Sequence, residues 1–544
     1  MGYPTKVQLI RRKASEQFYV NFPSALAQAM ELSKGESVEW ILADKAHLIL
    51  ARKHVPPNPV DTQKKNSAPP LSELLEQMLP AACAAATTTA SCAERLSQHI
   101  LGVLLGPGKR TVSNLICTRG GQHGDWSADY RLYSRARVDE SVLFSRVRDT
   151  LLEALPADAP LVVALDDTIT RKSGAKIHGS GWKRDPLGPA FQTNLVRAQR
   201  YLQFSAAWPL KDGGARMVPI DFLHAPSPAK PPKDADASQR ADYREALKQH
   251  NLNQRALERV LSLRSTLPAG RHLMLIGDGS FTNKSILRGL PEGCTYIGRT
   301  RKDNVLHYPP AGPAPATGRR PSYGQEAPTP EQLRQDESVP WQQVEAFAAG
   351  QRHLFRIKTL GPVLWRKSGA RLPLRMVVIA PLGYRLRKGS KLLYRKPAYL
   401  LCSDPELPLE ELIQYYLWRW GIEVNFREEK SLLGTGQAQV RTEASNQHLP
   451  AVTVAAYSML WCAALKASAA GGKLPCLPPP KWRRDHGPAR PLPSTGELLR
   501  LLKLELWAGA IRPGSFSHFV TQCPPAANAE KLTLSLPAAL FAAA

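Results

Sequence analysis

The first stretches of the chain alternate apolar and polar positions with the period of an extended strand, over Val7-Gln-Leu-Ile10 and Gln17-Phe-Tyr-Val-Asn-Phe22. Pro23 and Ser24 then open a short helical pattern that reaches Leu32, and Gly35 closes it. Two more strand runs follow, Val38-Glu-Trp-Ile-Leu42 and His47-Leu-Ile-Leu-Ala51, around a turn at Ala43-Asp-Lys45. Four short strands bury too little surface to stand alone. Residues 53–70, with Pro56-Pro-Asn-Pro59 and Lys64-Lys-Asn-Ser-Ala-Pro-Pro70, read as a linker.

From Leu71 to Leu155 the pattern becomes helical and rich in Ala and Leu. Within it, Gly106-Pro-Gly-Lys-Arg-Thr-Val112 is a turn leading into an apolar helix, similar to a helix-turn-helix. Lys109, Arg110 and Thr111 fall at that helix start, where side chains and backbone N–H groups can meet phosphate; a plain interhelical turn explains the pattern as well. The character then changes to α/β. Leu161-Val-Val-Ala-Leu165 and Leu273-Met-Leu-Ile276 are wholly apolar runs of buried-strand length. Tyr201–Ala207, Met217–Leu223 and Thr295–Gly298 predict further strands, and Ser238–Leu263 predicts one long polar helix.

Residues 303–408 interrupt this core with Pro/Gly-rich loops and short β runs (Leu374–Ile379, Ala398–Leu401), read as a β-rich insertion. A helix is predicted from Leu409, after Pro408, through Lys430. The expectation is an α/β protein with an RNase H-like core in two parts (156–302 and 409–470) around that insertion. A helical DNA-binding region (71–155) and a small β domain (1–52) precede it. A Pro-rich tail (471–544) follows, with one amphipathic helix near Gly496–Trp507.

Charge sharpens this picture. Lys and Arg number 72 against 46 for Asp and Glu, a formal net charge of +26, and a folded body so basic is suited to a polyanion such as nucleic acid. The first residues lack the long apolar run of a signal peptide, and Ala451–Leu465 is short for a membrane span. Eight scattered cysteines have neither disulfide-framework nor zinc spacing, which fits a reducing cytoplasm and gives no support to a zinc site.

Transfer or hydrolysis of a phosphodiester needs divalent ions held by a few convergent carboxylates on rigid elements. Asp166-Asp-Thr168 ends one apolar run, and Asp278-Gly279 ends another, so their carboxylates emerge at strand ends. Asp278 also suits a turn or helix cap. The third element is more specific: Tyr416, Arg419, Glu423 and Lys430 recur at spacings that place them within about 60° of one another on a helix. An ordinary amphipathic helix accounts for charge on one side but not for this series.

The spacing Tyr-x2-Arg-x3-Glu-x6-Lys resembles the signature of the DDE transposases of bacterial cut-and-paste insertion sequences. Gly-Lys-Arg-Thr-Val at 108–112, Asp-Asp-Thr, Gly-Asp-Gly-Ser-Phe at 277–281 and Leu433-Gly-Thr-Gly-Gln-Ala-Gln-Val-Arg441 look similar to the same family. The resemblance implies catalytic, metal-binding acids at Asp167 (the acid before Thr, in preference to Asp166), Asp278 and Glu423. It implies two Mg²⁺ ions per site, with Mn²⁺ as a substitute. Tyr416, Arg419 and Lys430 would contact DNA phosphates, with Arg299 and Arg301 as further contacts, and Trp341 or Trp365 could steady a DNA hairpin or simply pack. The implied partners are double-stranded DNA, both transposon ends and target, and a second copy in the active complex; no membrane is implied, and the location is the bacterial cytoplasm at the nucleoid. Residues 1–52 resemble the AbrB/MazE-like swapped-hairpin DNA-binding domain, a departure from that family's plan. Two other readings stay open here: a DNA-binding regulator with an inactive core, and an RNase H-like nuclease without strand transfer.

Overall fold

The computed structural model describes residues 7–12, 15–20, 38–42, 48–52 and, from 69 to 507, all but 186–187, 190, 229, 312–320, 370, 386–388, 471–473 and 475–491. The expected helix at 23–32, the turn at 43–45, most of the linker and the Pro-rich stretch lie outside the described residues. The chain divides into two units, Met1–Ser67 and Ala68–Ala544.

In the first unit, β1 (Val7–Arg12) and β2 (Ser15–Val20) form one antiparallel hairpin, and β3 (Val38–Leu42) and β4 (Leu48–Arg52) another. Val7, Leu9, Ile10, Phe18, Val20 and Ile41 are exposed on these strands.

The second unit begins with five helices: α1 (Leu71–Ala85), α2 (Ala90–Leu105), α3 (Val112–Thr118), α4 (Ser127–Ser134) and α5 (Glu140–Ala154). Side chains cap α2, α3 and α5: Thr89, Thr111 and Asp139 each accept a hydrogen bond from a first-turn N–H. The sheet strands follow: β5 (Leu161–Arg171), β6 (Gly181–Arg184), β7 (Leu195–Pro209) and β8 (Ala215–His224). Two helices come next, α6 (Ala237–Gln249) and α7 (Leu252–Thr266), where the sequence pattern predicts one. The break falls at Asn251, whose side chain caps α7 by accepting from Gln254 N, an arrangement that ends the preceding helix.

Next come β9 (Leu273–Gly277), α8 (Lys284–Gly289), β10 (Cys294–Arg299), α9 (Pro330–Gln335), β11 (Gln342–Ala348), β12 (Gln351–Val363) and β13 (Leu374–Ile379). After a small hairpin of β14 (Gly383–Tyr384) and β15 (Leu393–Tyr394) comes β16 (Ala398–Cys402).

Among the described residues these strands build one ten-stranded mixed sheet in the order β11-β12-β13-β16-β10-β9-β5-β7-β6, with β8 also paired to β7. β5, β9 and β10 run parallel at its centre. Such a mixed α/β architecture is consistent with an RNase H-like fold. Residues 303–408 are not a separate subdomain, which corrects the expectation. β16 pairs with the free edge of β10, Gly298 opposite Leu401, and β13 continues outward. The open ladder of β10 demands a partner, and β13 and β16 are apolar on both faces, so they extend the main sheet.

The chain then returns as α10 (Leu409–Trp418), α11 (Trp420–Ser431) and α12 (Glu443–Ala469), and α13 (Thr495–Trp507) closes the described structure. The predicted single helix from 409 to 430 is two. They meet at Arg419, where Ile422 N bonds to Arg419 O and tightens the turn. Gly421 sits at this junction because a Cβ there would lie 2.4 Å from the Met217 side chain. α12 is longer than the apolar run suggested, and long and apolar enough to cross a membrane, but 94% of its most apolar window is buried inside the protein. It packs against α1, α2, α4, α5 and β8. Its apolar residues lie all round the helix, as in the central helix of a core.

Candidate active site

Side chains alternate between the two faces of a strand, so the two adjacent acids of β5 must part. Val162 and Ala164 belong to the core beneath α10 and α11, with Met274, Ile276, Ile422 and Phe426; Val163 and Leu165 belong to the other core. Asp166 continues the first series and Asp167 the second. Thr168, two residues beyond Asp166, confirms the parity, because its hydroxyl accepts from Lys430 Nζ of α11 at 2.5 Å.

Asp278 leaves the end of β9, the parallel neighbour of β5, with Val162 opposite Met274 and Ala164 opposite Ile276. Asp278 Oδ1 accepts from Ser280 N (2.8 Å) and Ser280 Oγ (2.6 Å), which fixes the turn. Its Oδ2 accepts no hydrogen bond among the described residues. Burial, and then the Asp278 charge, push the Asp166 carboxyl up to about 7, with Arg419 opposing the rise.

Arg419 ties the third acid to the first. Its Nη1 lies 3.3 Å from Asp166 Oδ2 and its Nη2 lies 3.2 Å from Glu423 Oε1. The guanidinium thus sits between two carboxylates, at the joint of α10 and α11. Tyr416 packs against the edge of the core beneath. Lys430 is largely buried, which lowers its pKa, and its ammonium lies 5.8 Å from the Phe426 ring. Two further buried groups on α11 face β7: Gln203 Nε2, opposite Asp166 in register, donates to Glu429 Oε1 at 3.0 Å, and Asn425 Nδ2 donates to Ser205 Oγ at 3.1 Å. Burial pushes Glu429 up to about 8.

Asp167 lies on the other face. Its Oδ2 pairs with Arg200 Nε at 3.1 Å; burial raises its pKa, Arg200 opposes the rise, and the Asp278 charge adds to it. Strand parity turns Asp166, rather than the expected Asp167, toward Arg419 and Glu423, while the Asp278 charge acts on both. Arg110 also departs from expectation. It is buried, donating to the carbonyls of Val103 (2.8 Å) and Gly108 (2.6 Å), so its charge is spent on the turn rather than offered to phosphate. Thr111 caps α3, while Lys109 is exposed at the rim of a cleft of about 750 Å³ that Lys430 and Thr170 also line. Gly436, at φ +85°, lets the loop after α11 lie against Thr170, where a Cβ would come within 2.5 Å. Arg299 is exposed at the end of β10, and Arg301 beyond it is exposed and paired with Asp303 at 2.9 Å. Trp341 packs beneath Lys358 and Arg356, and Trp365 is partly buried against the core.

A family model described as DDE superfamily endonuclease matches residues 81–371, more than half of the chain. The chain belongs to that family. No curated protein matches it in sequence. The segment matched to the DDE endonucleases contains Asp166, Asp167 and Asp278 and ends before Glu423, so the geometry beneath α11 is what joins Glu423 to the site. Members of this superfamily use divalent metals, and the donors here, all hard carboxylate oxygens, are of the type Mg²⁺ takes. Burial first, and the neighbouring Asp278 charge second, raise the Asp166 pKa, and a bound cation would offset both. Among the described residues the three acids do not yet close into a metal cage, because Arg419 stands between Asp166 and Glu423. Asp166 itself had no distinguishing signal in sequence: which of two neighbouring acids faces α11 depends on packing across some 250 residues of chain.

Proposed function

We propose that this DDE endonuclease is a DNA transposase, one that binds the terminal repeats of an insertion sequence, cleaves its ends and joins the freed 3′-OH to target DNA. The observation that carries the reading is the convergence, on one sheet face, of Asp166 and Asp278 from neighbouring parallel strands with the Arg419–Glu423 pair of the overlying helices. Asp166, Asp278 and Glu423 are the residues that would hold Mg²⁺, or Mn²⁺ in its place, as a pair of ions. When bound, the ions activate the attacking oxygen and steady the leaving one.

The protein's own groups do the rest. Arg419 is placed to exchange its two carboxylates for a phosphate oxygen, a charge-assisted bond of the same kind, which frees Asp166 and Glu423 as DNA arrives. Lys430, held by Thr168 in partly dry surroundings, directs its charge at the same strand. Tyr416 supports the α10 end of that surface, and Lys109 and Arg299 extend it. The chemistry is direct transfer between oxygens, with no protein nucleophile. Transposition holds two ends together, and the exposed apolar residues of β1, β2 and β3 support a dimer in which a second copy of residues 1–52 covers them.

The test has two stages. Supercoiled plasmid should be nicked by the wild-type protein with Mg²⁺ or Mn²⁺ and not with EDTA. Pre-cleaved ends, taken from inverted repeats flanking the gene, should then be joined to a target plasmid. Nicking without joining would leave a nuclease; neither would sink the reading.

A further inference from the structure

The segment between the first two acids has a feature the chemistry above does not use. Residues 168–200 hold seven Lys or Arg and one acid, Asp185, which is paired with Arg171 at 2.8 Å. In this basic stretch β6 and the start of β7 form an antiparallel ribbon at the edge of the sheet, with Trp182 opposite Arg197 and Arg184 opposite Leu195. Asp185 N donates to Asn194 O and closes the loop between them. Trp182 is 69% exposed and Phe191, on that loop, is 91% exposed. Leu195, on the face of Trp182, is also exposed, so the ribbon presents a group of apolar side chains rather than a single one, the kind of surface that marks an interaction site.

Register fixes where they stand. Gln203 lies opposite Asp166, and Arg197 lies opposite Trp182; both are odd-numbered positions of one strand and share a face. Trp182 therefore stands on the same sheet face as Asp166, roughly 20 Å along β7 from it at strand rise. The cleft lined by Lys430 also reaches Arg171 and Asp185, at the end of β6.

We infer that the β6–β7 ribbon is a second DNA contact, in which Trp182 and Phe191 stack on unpaired or unstacked bases while Arg184, on the face of Trp182, meets a neighbouring phosphate. The occupant is DNA rather than a second copy of the chain because the flanking charge is almost wholly positive: Arg184 and Arg197 share the face of Trp182, and the chain as a whole carries a net charge of +26. Stacking on aromatic faces is indifferent to sequence, so the contact would grip DNA distorted near the cleavage point and not read bases. This inference rests on the DNA-processing reading of the acids.

The full-length protein would be titrated with two fluorescein-labelled duplexes of the same arbitrary sequence, one fully paired and one with a small central bubble. Wild type should prefer the bubble, and the double variant W182A/F191A should lose about tenfold of its affinity for it, binding both probes alike. A conservative pair, W182Y/F191Y, should keep the preference, which separates lost stacking from misfolding. Equal binding of both probes by wild type, or an unaltered preference in W182A/F191A, overturns the inference. So does a change in sedimentation of W182A/F191A without a change in DNA affinity, which would assign the ribbon to contact between copies. Plasmid nicking by wild type is scored separately: nicking without a bubble preference fails the ribbon alone, and a bubble preference without nicking fails the catalytic reading alone.

Discussion

Strand β5 carries two carboxylates side by side, and its two faces treat them differently. On one face Asp166 meets Asp278, Arg419 and the helix bearing Glu423, and its carboxyl is pushed up to about 7. On the other, Asp167 meets Arg200 in a half-exposed ion pair. Identical chemistry thus acquires opposite character. One acid is held beside Glu423 in a cluster suited to binding a cation, and the other is held by a direct ion pair with Arg200. The face, set by what packs on it, decides function more than the residue type does.

The comparison is broken most directly by exchanging each acid for its amide. Asp166→Asn should lower metal-dependent plasmid nicking by about a thousandfold, the loss expected when a metal ligand worth several kcal/mol is removed. Asp167→Asn removes only a partly exposed pair and should cost less than about tenfold. Comparable losses in both would erase the distinction between the faces. Glu423→Gln should resemble Asp166→Asn.

Arg419 sharpens the same contrast. It opposes the rise in the Asp166 pKa, so Arg419→Gln should move the acid limb of the nicking profile to higher pH, besides lowering the rate by about tenfold or more through the lost phosphate contact. A profile that falls without shifting would mean that Arg419 does not govern Asp166.

The smallest effect belongs to Glu429, on the Asp166 face but buried behind Gln203. Its folded pKa is raised to about 8, so the stability tied to its neutral form is full below the ordinary carboxylate range and lost as pH rises through about 8. Glu429→Gln should raise the melting temperature by a few degrees more near pH 9 than near pH 5. An equal shift at both pH values would show that the glutamate is not protonated in the fold.

Much of this architecture is legible in local sequence. β5 and β9 announce themselves as short, wholly apolar runs because parallel central strands are buried on both faces. The acids at their ends stand out for the same reason. What escapes local reading is set by distant partners. Arg110 resembles a phosphate contact until Val103 O, Gly108 O and the loop after α11 claim it. The parity of Asp166 is fixed by α11, far along the chain. Ribbon β6 is four residues long at a sheet edge and leaves almost no periodic trace. The strands after β10 read as an insertion because nothing local reveals that β10 has an unpaired edge to fill.

The central claim is that Asp166, and not Asp167, belongs to the metal-binding cluster, and cation binding tests it without any DNA. Ionising Asp166 costs the folded state as pH rises toward about 7, and a bound divalent ion offsets that cost. Thermal melting of the wild type, Asp166→Asn and Asp167→Asn with and without Mn²⁺, at pH 8 and pH 6, therefore decides the matter. The account predicts Mn²⁺ stabilisation at pH 8 in wild type and Asp167→Asn, weaker at pH 6, and none in Asp166→Asn. Stabilisation that survives in Asp166→Asn and vanishes in Asp167→Asn would contradict it.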